Sequence, residues 1–195
     1  MFIELVDHLR CPADHEEQYL VLLPDRIEDR WVRAGRLGCP RCGRTFVLSD
    51  GVLDLGGAPP PEETATTLVP GALAPLAGLN GPGGYLTLVG SPGDDWRGVA
   101  ELIPGVGLVA VNPGPETKDQ PGISVIRGGS LPLKSRSMRG VALGRPYGED
   151  PVWLGEAVRV LLPGLRIVGE GGEPPAGLID LMASAQGVWV GTPRR

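Results

Sequence analysis

The sequence predicts an α/β chain in two unequal parts: a small β-rich module, then an abbreviated, open, mostly parallel sheet wound on both faces. Three observations carry this expectation. Cys11 and a C-x-x-C pair, Cys39 and Cys42, all fall in the first quarter of the chain. A proline-, glycine- and threonine-rich stretch, GGAPPPEETATT at residues 56–67, then changes the composition abruptly. Beyond it, short continuously apolar runs alternate with helical patterns, as buried parallel strands and their crossovers do.

These shifts divide the chain into a module at 1–55, a linker and lead-in at 56–79, and a sheet domain at 80–195. In the first module FIELVDHL predicts a short helix, YLVLLP a strand and RIEDRWVRAG a second, partly exposed strand. CPRCG forms a tight knuckle. RTFVLSDGVLDL supplies two extended pieces joined at Asp50-Gly51, a hairpin dipeptide. The stiff 56–67 stretch follows. In the sheet domain YLTLVG, GLVAVN, ISVIRG, RGVALG, LRIVGE and GVWVGT read as strands. WRGVAELIPG and DPVWLGEAVRVLLPG read as helices, the latter with Asp150 as N-cap and Pro151 at the first helical position. Its apolar residues Val152, Leu154, Val158, Leu161 and Leu162 recur at helical spacing. PPAGLIDLMASAQG predicts a third helix ending near Gly187. The connections NPGPETKDQPG and GSLPLKSRSM are too short for full helices, so one sheet face is expected to be thinly covered.

Composition excludes several classes. With 42% apolar residues the chain can bury a core, and its 31 glycines and 21 prolines lie between apolar runs, marking turns. A net charge of −5 without a basic stripe argues against a nucleic-acid binder. There is no apolar run long enough to span a membrane, and the N-terminus MFIELVDHLR carries acids unlike a signal peptide. Three cysteines, an odd number, favour metal binding in a reducing cytoplasm over disulfides.

Zinc takes four thiolate, imidazole or carboxylate donors in a tetrahedron. Cys39 and Cys42 have the spacing for one half of such a site. LRCPADHEE offers the other half through Cys11 and either Asp14 or His15. Imidazole is the better ligand, so the expected set is Cys11, His15, Cys39 and Cys42, a closed, structural site. His8 is read as an ordinary surface or core histidine.

LRCP and GCPRCGRTFVLSDGVLDL, in this order, resemble the zinc-ribbon family of methyltransferase activators over nearly the whole first module. The resemblance implies a ribbon that pairs with a methyltransferase, as a free subunit or fused to it, through strand edges and apolar patches. Residues 80–192 in turn resemble a class I, S-adenosylmethionine-dependent methyltransferase with a Rossmann-like sheet, most specifically at EAVRVLLPGLRIVGEG. That likeness implies cofactor contacts at Gly90, Ser91 and Gly93 in the first loop and at Asn112 after the second strand. The family pattern has acids where this chain has Asn112, Gly129 and Arg139, and Pro92 removes a donor N–H from the loop. Asp94 and Asp95 read as N-caps of the following helix. Tyr147, Glu149 and Asp150 in GRPYGED lie where the family places substrate or catalytic residues, but read first as a solvated loop capping the following helix.

The expected function is therefore that of a degenerate, non-catalytic pseudoenzyme that binds or regulates a protein partner or self-associates. If it is an enzyme, it is a divergent S-adenosylmethionine-dependent methyltransferase with an open pocket near Gly90, Asn112 and Gly144. A nucleic-acid-binding ribbon would draw on Arg26, Arg30, Arg33, Arg36, Arg41 and Arg44, but ten acids share that module.

Overall fold

Among the described residues, one continuous sheet of eleven strands runs through both parts of the chain. The structure is a computed structural model that describes residues 1–58 and 65–194. Its strands are β1 (Val21–Glu28), β2 (Trp31–Gly38), β3 (Thr45–Ser49), β4 (Val52–Asp54), β5 (Tyr85–Val89), β6 (Gly107–Val111), β7 (Ile123–Arg127), β8 (Gly140–Leu143), β9 (Ile167–Glu170), β10 (Ile179–Ala185) and β11 (Val188–Pro193). They lie in the order β1-β2-β3-β4-β7-β6-β5-β8-β9-β11-β10. The middle, β7-β6-β5-β8-β9, is parallel and reverses direction of travel at β5, as doubly wound sheets do. The first four strands are antiparallel to one another, and β11 and β10 close the other end as an antiparallel hairpin. The sheet is thus mixed, parallel at its centre and antiparallel toward both edges.

β4 joins the two parts. It pairs in parallel with β7, Leu53 opposite Ile126 and Asp54 opposite Arg127. The pairing continues through the Leu55 N–H to Arg127 O bond at 2.8 Å and the Gly129 N–H to Gly56 O bond at 3.2 Å.

Two cores lie on the two faces. On one, α1 (Pro70–Ala77) and α2 (Trp96–Leu102) pack Leu73, Trp96 and Val99 with Leu86, Leu88, Leu108 and Ala110. On the other, α3 (Pro151–Val160) contributes Trp153, Leu154, Ala157 and Val160. The short connections flanking β7 were expected to leave one face thinly covered. Instead the N-terminal segment covers it. Leu5, in a 3₁₀ turn at Ile3–His8, and Leu9 are fully buried in one core with Val109, Val111, Leu131 and Leu133. Each such leucine contributes about 1.5–3 kcal/mol relative to exposure. The segment is fixed by the Phe2 N–H bond to Ser124 Oγ (2.9 Å), the edge-on His8–Tyr85 ring contact (5.2 Å) and a Leu9–Leu133 bridge. The Met1 α-amino group, whose pKa burial lowers, lies 2.8 Å from Asp119 Oδ2, whose pKa burial raises.

Four expectations are corrected. The third helix is instead β10 and its turn: Gln186 and Gly187 both have positive φ, so Gly187 closes a hairpin and caps no helix. RIEDRWVRAG is a hairpin broken at Asp29 (φ 54°), its halves belonging to β1 and β2. The lead-in contains α1, which opens on Pro70 without a side-chain cap and carries Pro75 in its interior, where proline argues against a helix. In α3 the buried stripe is Trp153, Leu154, Ala157 and Val160, while Val152 is 66% exposed. The Asp150 cap is as expected, accepting from the Val152 and Trp153 N–H groups. The linker expected at 56–67 falls partly on residues 59–64, outside the described residues.

Candidate metal centre and the carboxyl end of the sheet

The ribbon folds its two cysteine-bearing loops onto each other. Cys39 ends just past β2, and Cys42 is held by a tight turn whose Gly43 N–H bonds Cys39 O at 2.9 Å. Gly43 takes φ +71°, which permits that turn. Cys11 and His15 sit in the loop before β1, where the Cys11 N–H bonds Gln18 O at 2.8 Å. Cys11 Sγ, His15 Nε2, Cys39 Sγ and Cys42 Sγ all lie within 4.8 Å of one another. Cys11 and Cys42 sulfurs are 3.8 Å apart, and Cys39 Sγ is 3.5 Å from His15 Nε2. The cysteines are free, with no disulfide. His15 Nδ1 lies 2.7 Å from Glu16 O, which orients the ring with Nε2 toward the thiols, as supporting partners of metal-ligating histidines do. Asp14 is exposed and outside the cluster. Burial pushes the Cys11 thiol up to about 11, while the Arg44 backbone N–H draws Cys42 down to about 6. A cation would let all the sulfurs be thiolates together. The set can hold a metal ion.

The carboxyl end of the parallel strands is where the cofactor contacts were expected. Gly90, Ser91, Pro92 and Gly93 are all buried. Gly90 adopts φ +72°, and a Cβ there would come 2.8 Å from the Tyr147 ring. A Cβ on Gly93 would meet Ala110 and Pro113 at 3.1 and 3.2 Å, and one on Gly144 would lie 2.5 Å from Pro92 Cδ. The loop is packed down against the ends of β6 and β8. Asn112, 5% exposed and at φ 52°, turns its amide inward: Nδ2 donates to Gly128 O (2.8 Å) and Oδ1 accepts from Gly128 N–H (2.9 Å). Gly129 runs beside the linker, and a Cβ there would meet Gly57 O at 2.9 Å.

The remaining candidates have structural partners. Asp94 Oδ1 accepts from the Gly114 N–H and Thr117 Oγ, both at 2.8 Å, so it caps that turn, and Asp95 occupies the helix N-cap position without a side-chain bond. The expected capping role of this pair is thus displaced onto a neighbouring loop. Arg139 lies at the opposite, amino end and donates to the carbonyls of Asn80, Gly81, Pro82 and Gly83. Tyr147 packs edge-on against Trp153 at 4.6 Å, and Glu149 accepts from Gly172 N–H at 2.7 Å. In the ribbon, Arg26, Arg30, Arg33 and Arg41 are each ion-paired.

Two arrangements were not anticipated. Glu170, 2% exposed at the end of β9, accepts through Oε1 from Thr66 Oγ, Thr67 N–H and Oγ, and Leu68 N–H. Its signal was an acid ending the apolar run LRIV. Arg10 and Glu17 from the ribbon, and Glu156 and Arg159 from α3, form an ionic network across the seam. The Glu156-Arg159 spacing was visible in sequence, but its ribbon partners were not.

No protein-family model matches the chain, and no curated protein does. Solved structures similar to it include a complex between the Haloferax volcanii Trm112 methyltransferase activator and a methyltransferase (19% identity, 46% of this chain and 45% of that chain, TM-score 0.39). A Bacillus halodurans methyltransferase structure aligns at 18% identity over 55% of this chain and 52% of that one (TM-score 0.39). The antibiotic-resistance methyltransferase Kmr aligns at 13% identity over 68% of this chain and 97% of that one (TM-score 0.42). The chain spans about half the length of the first two. At these scores the α/β assignment rests on the strand order described above. Among the described residues no helix is long and apolar enough to cross a membrane.

Proposed function

We propose that the chain is a structural zinc ribbon, residues 1–55, fused to a methyltransferase-like sheet domain, residues 80–195, that has lost its cofactor contacts and acts as a non-catalytic binding or regulatory partner of other proteins. The donor set fits zinc. With Zn–S near 2.3 Å and Zn–N near 2.0–2.1 Å, a tetrahedron has S–S edges of about 3.8 Å and S–N edges of about 3.5 Å, matching the 3.8 and 3.5 Å separations. Cys11, His15, Cys39 and Cys42 would fill all four positions, so zinc here supplies folding energy and no open coordination site.

The observation that carries the non-catalytic reading is Asn112. Both ends of its amide bond the Gly128 backbone, so the residue expected to meet the cofactor faces the protein. The packed Gly90–Gly93 loop and the Gly57 backbone beside Gly129 support the same reading. The β4–β7 pairing supports a fusion of the ribbon type, because it satisfies within one chain the strand-edge pairing that such ribbons make with methyltransferases. The paired ribbon arginines favour a protein partner over a nucleic acid.

Calorimetric titration of the full chain with S-adenosylmethionine and S-adenosylhomocysteine tests this. No heat of binding is expected. Micromolar affinity for either would replace this reading with an active, divergent methyltransferase.

A further inference from the structure

We propose that the metal centre is also a latch: it holds the ribbon's first loop against the sheet domain, so that metal loss opens this seam while the parallel core stays folded. The inference rests on the metal-site reading above. Loop 10–19 faces two ways. Inward, Cys11 and His15 join it to the Cys39–Cys42 knuckle. Outward, the same short loop and the residues just before it carry the contacts to the sheet domain. The Arg10 N–H bonds Pro132 O at 2.9 Å, and the Lys134 N–H bonds His8 O at 2.7 Å. Glu17 accepts from both Ser135 N–H (3.0 Å) and Ser135 Oγ (2.6 Å). Arg10 reaches both carboxylate oxygens of Glu156 at 3.2 Å.

Arg10 is adjacent to one ligand and Glu17 lies two residues beyond another. Apart from the metal donors, the loop is closed by an Arg10–Tyr19 bridge, the Cys11-to-Gln18 and His15-to-Ala13 bonds and an exposed Glu16–Arg41 ion pair. Freed from a metal, such a loop gains backbone entropy by opening, and opening releases the Arg10 and Glu17 contacts to Pro132, Ser135 and Glu156. β4 remains hydrogen-bonded to β7, and the helices on the opposite face do not touch the loop's core. Opening is therefore local to the seam.

Hydrogen exchange of the full chain tests the latch, read at the Ser135 amide with β5 amides as the reference. Stripping the metal with a chelator, verified by elemental analysis, is expected to speed Ser135 exchange by about tenfold or more and leave β5 unchanged, as local opening does. Added Zn2+ restores protection. In Glu17→Ala, which keeps its metal, Ser135 is expected to exchange as fast as in the stripped protein. Unchanged Ser135 exchange after metal loss overturns the latch, as does acceleration of β5 to the same extent, or a Glu17→Ala variant with wild-type exchange at Ser135. A purified protein that holds no metal and takes up no Zn2+ overturns the metal-site reading, and the latch with it.

Discussion

Replacing Arg159 with alanine tests how firmly α3 is tied to the ribbon side of the molecule. The guanidinium meets both Glu156 oxygens at 2.8 Å and donates to Leu131 O at 2.8 Å and Leu133 O at 2.7 Å. Alanine leaves two carbonyls without this donor and Glu156 with Arg10 alone. Breaking a buried ion pair from one side costs about 3–5 kcal/mol. Here the two side chains keep 21% and 17% exposure, so water can reach them, and the expected loss scales down to about 2–3 kcal/mol. With a urea slope near 2–3 kcal/mol per molar, the unfolding midpoint falls by about 1 M. Arg194→Ala is the control, since its Asp180 pair is more than half exposed on both sides, and it should cost under about 0.5 kcal/mol. A loss in Arg159→Ala no larger than the control would refute the reasoning. The pH dependence carries a second check. Burial pushes the Glu156 carboxyl up, but Arg159 and Arg10 outweigh it and hold the group below its ordinary 4.5. A carboxylate depressed in the folded state contributes stability above its unfolded value and loses it as pH falls through the folded one. The gap between wild type and variant should therefore be full above about pH 4.5 and shrink below it.

Three further outcomes are expected. His15→Ala should lose bound metal while Asp14→Ala retains one ion per chain, read by elemental analysis; the reverse result would assign the fourth ligand to Asp14. Glu170→Ala removes the acceptor shared by Thr66, Thr67 and Leu68 and should cost about 1–3 kcal/mol, with faster proteolysis at residues 65–69; unchanged stability and cleavage would discount this anchor. Asn112→Asp restores the acid of the cofactor pattern but sets a carboxylate against Gly128 O in place of a donor. It should cost about 1–3 kcal/mol without creating S-adenosylmethionine binding, and a gain of binding at unchanged melting temperature would show that this side chain can face outward.

What could be read from the sequence was local. YLTLVG, GLVAVN and the four other apolar runs are strands because a strand buried on both faces leaves an unbroken apolar signature. Asp50-Gly51 is a hairpin turn, with both residues at positive φ as its chemistry requires. The cluster of Cys11, His15, Cys39 and Cys42 was legible because ligand spacing is a local constraint. The misses were cases where the pattern is shared by two structures. IDLMASA has apolar and small residues that suit a helix, and becomes an edge strand because β11 offers a free edge through the Gln186-Gly187 turn. In α3 the choice of buried face depended on which neighbours arrived, and Trp153 with Tyr147 won over Val152.

The cover on the thinly connected face and the close packing at the carboxyl end of β7 have a common explanation in the N-terminal module. A doubly wound sheet needs apolar cover on both sides of β5–β7, and the short connections flanking β7 do not supply it. Leu5 and Leu9 of the N-terminal segment do, and β4 lengthens the sheet beside β7. The same docking brings Gly56 and Gly57 along the carboxyl end of β7, where only a small residue fits at Gly129. A carboxylate at that position would collide with the connecting chain. The module that completes the core thus also occupies the space beside Gly129, so cover for the sheet and the need for a small residue at that position follow from a single packing arrangement.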